Sequence, residues 1–446
     1  MRTRRAIAGL AIVLIAAACG NSGSSKPAAD TTGTSGLPSG GPTSTADLSK
    51  NVPVKAAGVT DTEIDVAAIT AKTNNPTGAS FGPLVDGIQA YFKMVNDKGG
   101  IYGRKLVVKY DHDDGFGQNR QVVQQSLAQD KAFATFIANA LFTGADVLAK
   151  AKQPTFVWNI NPEFAGHPTF FANVPAICFT CAIHGWPYLA QQLKATKVGV
   201  LAYGIAQQSK DCAKGIQNSF AKYPTAQVAF FDDSLGYAQA LGPQVTKMKA
   251  KGVTFVMTCV DLQESFTLAK EMQKQGMKAV QALPNGYDPD FIAKNAGLLE
   301  GSIVTVQFIA LEVAPQIPEV QNLYKYASEI GVPVHELTAQ GWILASMLYT
   351  GLASAGPNFS QAAVVDALNR QTAMSDNGFI APVDWTKGHI DPEKHPEALS
   401  PLECANAVIA RDGKLVPYVS TPDKPWTCFK RSDPTVDNPM PTSFAP

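Results

Sequence analysis

From residue 58 onwards, two hydrophobic patterns alternate along the chain. Short apolar runs such as Ile64–Ile69 are typical of buried parallel strands. Between these runs, apolar residues recur at helical spacing, as in Phe81–Asn96, and this pattern stops at Gly99-Gly100, a favourable helix end. Alternating strands and helices predict parallel sheets with helices on both faces.

The alternation occurs in two successive blocks, which predicts two lobes. Predicted strands cover 64–69, 105–110, 133–138 and 155–158, and then 197–202, 227–231, 254–258, 280–283 and 302–306. Predicted helices cover 81–96, 119–129, 208–222, 241–251, 262–275, 337–355 and 361–371. We therefore predict an α/β protein with two doubly wound lobes.

The first 19 residues carry the features of an export signal. A basic start, Met1–Arg5, precedes the apolar run Ala6–Ala18, which is short for a membrane span and ends in small residues. The stretch Ile15–Gly20 resembles a bacterial lipoprotein processing site, and the resemblance implies lipidation of Cys19. An ordinary cleaved signal with a chance cysteine is the alternative.

Two further segments are predicted to lie outside the lobes. Residues 20–55 are rich in Gly, Ser, Thr and Pro and contain few large apolar side chains, which predicts a flexible tether. Residues 431–446 are predicted to form a disordered tail. A lipid at Cys19, this tether and a folded body together place the protein in the cell envelope, at the outer face of the cytoplasmic membrane.

Composition narrows the class of function. The 446 residues contain 37 Lys+Arg and 37 Asp+Glu, so the formal net charge is zero. A nucleic-acid-binding protein usually carries a basic excess or stripe, which this balance does not provide. After the N-terminal segment the sequence has no apolar run of about 18 residues, so we expect no internal membrane span.

Six cysteines follow Cys19, and an even number in an exported protein suggests disulfides. Six cysteines allow 15 connectivities. Proximity in the sequence favours Cys178–Cys181 and Cys404–Cys428, which leaves Cys212 and Cys259 as the third hypothetical pair.

Several segments resemble one family of binding proteins. Residues 58–70 read GVTDTEIDVAAIT, residues 96–106 read NDKGGIYGRKL, and an acidic strand end follows at residues 110–114. Further on, residues 300–303, 339–353 and 378–388 carry similar signals. Together these resemble bacterial periplasmic binding proteins of the leucine/isoleucine/valine-binding type, over roughly residues 58–420.

The resemblance implies a type I solute-binding protein, in which two Rossmann-like lobes joined by crossover hinge segments close around a ligand. The first lobe is expected over 58–175 plus 308–372, and the second over 176–304 plus 373–430. Such a protein is not an enzyme and needs no cofactor or metal. Its implied partners are a small-molecule ligand and the permease subunits of an ABC importer, with the membrane contacted through the lipid anchor, and we expect a monomer that binds no nucleic acid.

Candidate ligand-binding residues lie in loops that follow the predicted strands, because open α/β sheets bind ligands there. They are Asn139, Ala140, Phe142, Asn161, Tyr203, Gln208, Asp261 and Tyr287. The family's usual Ser/Thr pairs are missing from the first-lobe loops, which makes an α-amino acid itself a poorer fit. We expect a small polar or amphiphilic solute that is amino-acid-like or amide-like. Local roles compete with ligand binding: the Asn residues suit turns, Tyr203 suits packing and Asp261 suits a helix N-cap.

Other functions have weaker support. The Cys178–Cys181 spacing could belong to a thiol oxidoreductase, or with His184 to a zinc site, but a structural disulfide suits its place deep in the chain. His335-Glu336 lacks the second histidine of a zinc-protease motif. Residues 111–114 could bind a cation, although a solvated turn is simpler. A ligand-binding sensor that takes no part in transport is the main alternative to an importer component.

Overall fold

The computed structural model describes residues 47–76, 78–313 and 315–444. The predicted signal segment and Cys19 lie outside these residues, as does most of the predicted tether. Among the residues described, no helix is both long and apolar enough to span a membrane.

A five-stranded parallel sheet forms the centre of the first lobe, with strand order β2-β1-β3-β4-β5. The strands are β1 (Glu63–Thr70), β2 (Lys105–Asp113), β3 (Thr135–Ala138), β4 (Thr155–Val157) and β5 (Phe170–Phe171). This order is that of a doubly wound sheet, in which the winding direction reverses between β1 and β3. Ligand crevices of such sheets lie at the carboxyl ends of the strands beside this reversal.

Six helices of the described residues surround this sheet. They are α1 (Pro83–Asp97), α2 (Asn119–Gln129), α3 (Ala145–Lys150), α10 (Pro318–Glu329), α11 (Glu336–Ala355) and α12 (Gln361–Asn369). Helix α11 is apolar on almost every side because it is buried between α1, α12 and the sheet.

The second lobe repeats the winding of the first. Its parallel sheet has the order β7-β6-β8-β9, from β6 (Lys197–Tyr203), β7 (Gln227–Leu235), β8 (Phe255–Cys259) and β9 (Val280–Gln281). A parallel bridge from Ala282 to Ile303 links β9 to β10 (Ile303–Val306). The flanking helices are α4 (Gly185–Gln192), α5 (Gln207–Lys222), α6 (Gly242–Ala250), α7 (Leu262–Lys274), α8 (Pro289–Lys294) and α9 (Ala296–Leu299).

Antiparallel strands extend the second lobe beyond β10. They are β11 (Leu402–Arg411), β12 (Lys414–Tyr418), β13 (Trp426–Lys430) and β14 (Met440–Thr442). The chain therefore passes between the lobes three times: after β5, after β10 and after α12. Asn173 Nδ2 donates to the carbonyl oxygen of Gln307 at 3.2 Å, which ties the first two crossings together.

The strand and helix predictions agree with the structure in type throughout, and α2 is confirmed to the residue. Helices α3, α4, α8, α9 and α10 were not predicted. The α/β two-lobe architecture is confirmed. The three predicted disulfides are also present: Cys178–Cys181, Cys212–Cys259 and Cys404–Cys428.

Three predicted boundaries differ from the packing. Residues 48–54 belong to the first lobe rather than to a flexible tether, because Leu48 and Val54 pack on its core and Arg104 donates to the Val52 carbonyl oxygen at 2.8 Å. Residues 374–385, placed in the second lobe by the sequence, contribute Phe379 and Trp385 to the core shared with α11. Residues 440–442 form β14 instead of a disordered tail.

Candidate functional site

The carboxyl ends of the strands beside the two winding reversals face each other. In the first lobe these ends are Thr70 of β1 and Asn139, which follows β3. In the second lobe they are Tyr203 of β6 and Cys259 of β8. The interlobe cleft therefore lies where open α/β sheets bind ligands.

Asn139 joins two first-lobe loops. Its Nδ2 donates to Asp114 Oδ2 at 2.5 Å, and its Oδ1 accepts from the Leu141 backbone N–H at 2.6 Å. Burial raises the pKa of Asp114, while the bonds from Asn139 and from the Phe116 N–H act in the opposite direction. Asn139 thus has the local turn role that the sequence offered as an alternative, and it holds the loop in place.

The first-lobe loop that follows β1 is held in place by Asp113. Its carboxylate accepts from the backbone N–H groups of Lys72 and Thr73 and from the Thr73 hydroxyl at 2.6 Å. Burial raises the pKa of Asp113, but these bonds and one from Gly115 outweigh it and lower the pKa to about 2. The acidic stretch predicted as a turn is therefore a structural anchor. Lys72 pairs with Asp111 at 2.6 Å.

Uncharged polar groups line the first-lobe edge. Asn161 Oδ1 accepts from the Glu163 N–H at 3.2 Å and caps a short 3-10 turn, and its Nδ2 lies 3.5 Å from the Ala140 carbonyl oxygen. Thr70 Oγ1 and Trp158 Nε1 are buried without a hydrogen-bond partner among the described residues. This edge offers hydrogen bonds from neutral groups.

The second-lobe edge is acidic. Tyr203 donates its hydroxyl to Asp261 Oδ2 at 2.9 Å, and Asp261 Oδ1 accepts from the Glu264 N–H at 3.0 Å, as an N-cap of α7. Burial and the neighbouring Asp261 raise the pKa of Glu264 to about 7, and burial together with Asp261 keeps the pKa of Tyr203 well above its usual range. Asp261 thus has the predicted cap role and is also held by Tyr203.

The two edges touch directly. Gln208 Nε2, in the first turn of α5, donates to the carbonyl oxygen of Ala140 at 2.5 Å. Leu141 of the first lobe packs against the second-lobe cluster that contains Tyr203. The ring of Phe116 lies 6.1 Å from that of Tyr237, which in turn lies 4.4 Å from the ring of Tyr203. The structure therefore brings together Asn139, Ala140, Asn161, Tyr203, Gln208 and Asp261.

Two of the predicted residues lie elsewhere. Phe142 is buried in a separate core cluster of the first lobe with Val123 and Phe164. Tyr287 is completely buried, and its hydroxyl donates to Glu312 Oε2 at 2.5 Å beside the second crossing. Aromatic residues at these loop positions therefore serve the core, where large apolar rings are most stable.

The sequence reasoning missed a second contact between the lobes. The Glu336 backbone N–H, at the start of α11, donates to the Tyr287 carbonyl oxygen at 2.7 Å. Glu336 Oε2 is buried and has no hydrogen-bond partner among the described residues. Phe116 and Tyr237 were missed as well, because a contact between loops of different lobes leaves no periodic signal in the sequence.

We expect Glu336→Gln to stabilise the protein above neutral pH. Burial raises the pKa of Glu336 from 4.5 to about 8, so ionisation favours the unfolded chain between these values. Below about pH 4.5 the Glu336 carboxyl is protonated in both the folded and the unfolded chain, and the native protein has its full stability. The free energy of unfolding then falls as the pH rises towards 8, because the folded protein still binds a proton that the unfolded chain has lost. The variant should exceed the native free energy of unfolding at alkaline pH by on the order of a few kcal/mol.

Urea unfolding at acidic and alkaline pH measures this difference. The matched control is Glu163→Gln, which removes an exposed carboxyl from the same lobe. An equal advantage of Glu336→Gln at both pH values would contradict the assignment, because a constant difference reports packing rather than titration.

The fold and the cleft define a two-lobed solute-binding protein. The sequence profile of the periplasmic binding protein family matches residues 63–395. The chain belongs to this family, as the resemblance implied, and so to a class of substrate-binding proteins of transport systems rather than enzymes.

Individual relatives are distant. A Leu/Ile/Val-binding protein homologue from Brucella melitensis is 21% identical over 313 residues, which cover 68% of this chain and 82% of that protein. The fatty acid ABC transporter substrate-binding protein from Thermomonospora curvata has a TM-score of 0.67 at 17% identity, covering 85% of this chain and 95% of that one. A solute-binding protein from R. palustris in complex with 4-hydroxybenzoate has a TM-score of 0.63 at 16% identity, covering 83% and 98%. These structures show the same fold.

Proposed function

We propose that this chain captures an uncharged polar or amphiphilic solute in the interlobe cleft and delivers it to the permease of an ABC importer. The observation that carries the proposal is the meeting of the two sheet edges, where Gln208 of one lobe donates to Ala140 of the other. A solute held between such edges stabilises the closed arrangement by its differential affinity for it.

The charges around the cleft argue against an anionic ligand. On the first-lobe edge, Lys72 is already paired with Asp111, and the carboxylates of Asp113 and Asp114 accept hydrogen bonds from their own loops. The groups there that have no partner among the described residues, Thr70 Oγ1 and Trp158 Nε1, are uncharged. On the second-lobe edge, Asp261 and Glu264 would repel an anion. An amide or hydroxyl, which both donates and accepts, fits these partners better than a carboxylate.

The names of the relatives indicate how wide a range of solutes proteins of this fold bind. Their printed ligands and substrates include branched-chain amino acids, a fatty acid and 4-hydroxybenzoate. All of these are small organic solutes with an apolar body. We propose that the ligand of this chain has an apolar body as well. Their acidic groups are the part that we expect this cleft to disfavour.

Export and anchoring complete the proposal. The basic start, the short apolar run and Cys19 support a lipid-anchored protein at the outer face of the cytoplasmic membrane. Three disulfides within the lobes suit an oxidising compartment. Mass spectrometry of the membrane-extracted protein tests the anchor: a diacylated Cys19 as the first residue is expected, and an unmodified N-terminus would contradict it.

Calorimetric titration with matched amide and acid pairs tests the ligand class. Benzamide is compared with benzoate, and hexanamide with hexanoate. Within a pair, we expect the amide to bind at least about tenfold more tightly than the acid, because the acidic second-lobe edge repels a carboxylate. A tenfold difference in affinity corresponds to about 1.4 kcal/mol. Equal or tighter binding of the acid would contradict the proposal.

The variants Gln208→Ala and Gln207→Ala test the cleft itself. Gln208 donates across the cleft, whereas Gln207 donates to Asp211 on its own helix at 2.8 Å. We expect Gln208→Ala to weaken binding by roughly five- to tenfold, as a lost hydrogen bond implies, and Gln207→Ala to leave it unchanged. The same loss in both variants would place the ligand elsewhere.

A further inference from the structure

A cavity of about 110 Å³ lies inside the second lobe, away from the interlobe cleft. Its floor is one face of the sheet made by β10, β11 and β13, and its roof is α4. Gly185, Trp186 and Leu189 of α4 face this sheet. The cavity is therefore bounded by regular elements on both sides rather than by a surface loop.

The strand register explains the space under α4. Thr305 pairs with Ala407 and Ala405 pairs with Thr427, so four small or medium side chains share this face of the sheet. Gly185 of α4 lies above them and has no side chain. A Cβ built on Gly185 would lie 3.8 Å from the Ala405 Cβ, which is ordinary van der Waals contact. Small residues on both layers leave the space that larger ones would fill.

The remaining walls are mainly aromatic and aliphatic, with Asn406 as a polar exception. Trp186, Tyr188 and Phe429 line the cavity. Trp186 and Tyr188 are half-buried, which places this side of the cavity near the protein surface. The Thr427 hydroxyl is already engaged with the Val419 carbonyl oxygen at 3.0 Å. Asn406 also lines the cavity, and its Nδ2 and Oδ1 are buried without a hydrogen-bond partner among the described residues. The polar side chains of the lining, Thr305, Asn406 and Thr427, are therefore all uncharged.

We infer that this cavity is a second binding site, which takes an uncharged aromatic molecule of about the size of benzene or toluene. Its volume is comparable with that of an apolar cavity of about 150 Å³ in another protein that stays dry and binds benzene. A charged ligand is excluded by the desolvation of its charge among these apolar walls. The site is independent of the cleft, and neither its ligand nor its occupancy depends on the transported solute.

Fluorobenzene is the probe, followed by fluorine NMR of the purified full-length protein. We expect saturable broadening of its signal by the native protein. Ala405→Leu fills the cavity and should weaken binding at least about tenfold, since it replaces the space that the ligand occupies. Gly185→Ala adds one methyl group in ordinary contact and should weaken binding several-fold while leaving the fold intact.

Cleft variants separate this site from the transport site. Gln208→Ala should bind fluorobenzene like the native protein, and hexanamide, a cleft amide without an aromatic ring, should not displace the probe. Absence of saturable binding up to the solubility limit of fluorobenzene would overturn the inference. So would equal binding by native protein, Ala405→Leu and Gly185→Ala, or competition by the cleft amide. Crystals under xenon pressure give a second reading: xenon in the cavity is expected, and ordered water there instead would overturn it.

Discussion

Replacing Gly341 with alanine is expected to prevent stable folding of the first lobe. A Cβ at this position would lie 1.9 Å from the carbonyl oxygen of Leu84 and 3.0 Å from the backbone nitrogen of Ile88. Both are backbone atoms of α1, so no side-chain rotation relieves the clash. The reciprocal position, Gly87, would place a Cβ 1.9 Å from the Thr338 carbonyl oxygen of α11.

The two helices must separate to admit the methyl group, and with them the buried rings at their interface. Tyr91 of α1 packs edge-on against Trp342 of α11, with 4.9 Å between ring centroids. Because protein interiors are close-packed and yield little, we expect Gly341→Ala to lower the free energy of unfolding by more than about 4 kcal/mol.

Circular dichroism and urea unfolding of the purified variant measure the loss. Gly297→Ala is the matched control, because Gly297 also lies in a helix and a Cβ there would meet no atom within 4 Å. Alanine's better helix propensity should make this control neutral or more stable by up to about 1 kcal/mol. Similar unfolding of Gly341→Ala and Gly297→Ala would contradict the close crossing of α1 and α11.

Removing the Cys212–Cys259 disulfide is expected to be the second large effect. The bond joins α5 to the end of β8 across 47 residues of sequence. Closing a loop of this length in the unfolded chain stabilises the folded state by about 4 kcal/mol on loop-entropy grounds. We expect the double variant Cys212→Ala/Cys259→Ala to lose stability of this order in urea unfolding without reductant.

The Cys178–Cys181 bond provides the comparison, since it spans only 3 residues. Its double alanine variant should lose roughly half as much stability or less on the same grounds. Cys259 also lies beside Asp261 at the cleft, so the first variant should bind the cleft ligand more weakly than the second. A larger loss of stability from the short loop would contradict the loop-entropy account.

Local patterns were sufficient for much of the fold. Helix α2 begins and ends at the predicted residues, and the buried strands of both lobes lie where apolar runs were found. The three disulfides agree with the pairs that proximity in the sequence favoured. The missed helix α4 carries Trp186 and Pro187 in its first turn, and its apolar face is defined by the sheet beneath it rather than by a strong period of its own.

The candidate site was predictable only in part. Asn139 and Asp261 could be placed at strand ends from the sequence, and Asp261 could be assigned to a helix cap. The sequence could not show that Phe142 is a core residue. A shift of one residue in the loop would turn its ring from the core towards the cleft. The partners of Tyr203, which are Asp261 and Tyr237, come from distant parts of the chain.

The sequence by itself determined the class of protein. Hydrophobic periodicity is set by local geometry, so it specifies strands, helices and two winding blocks, and the family signals lie in short continuous segments. Only the tertiary structure decided which groups meet between the lobes and where the second lobe leaves a cavity. Those features depend on distances between residues far apart in sequence, such as Gln208 and Ala140 or Gly185 and Ala405, and no local pattern records such distances.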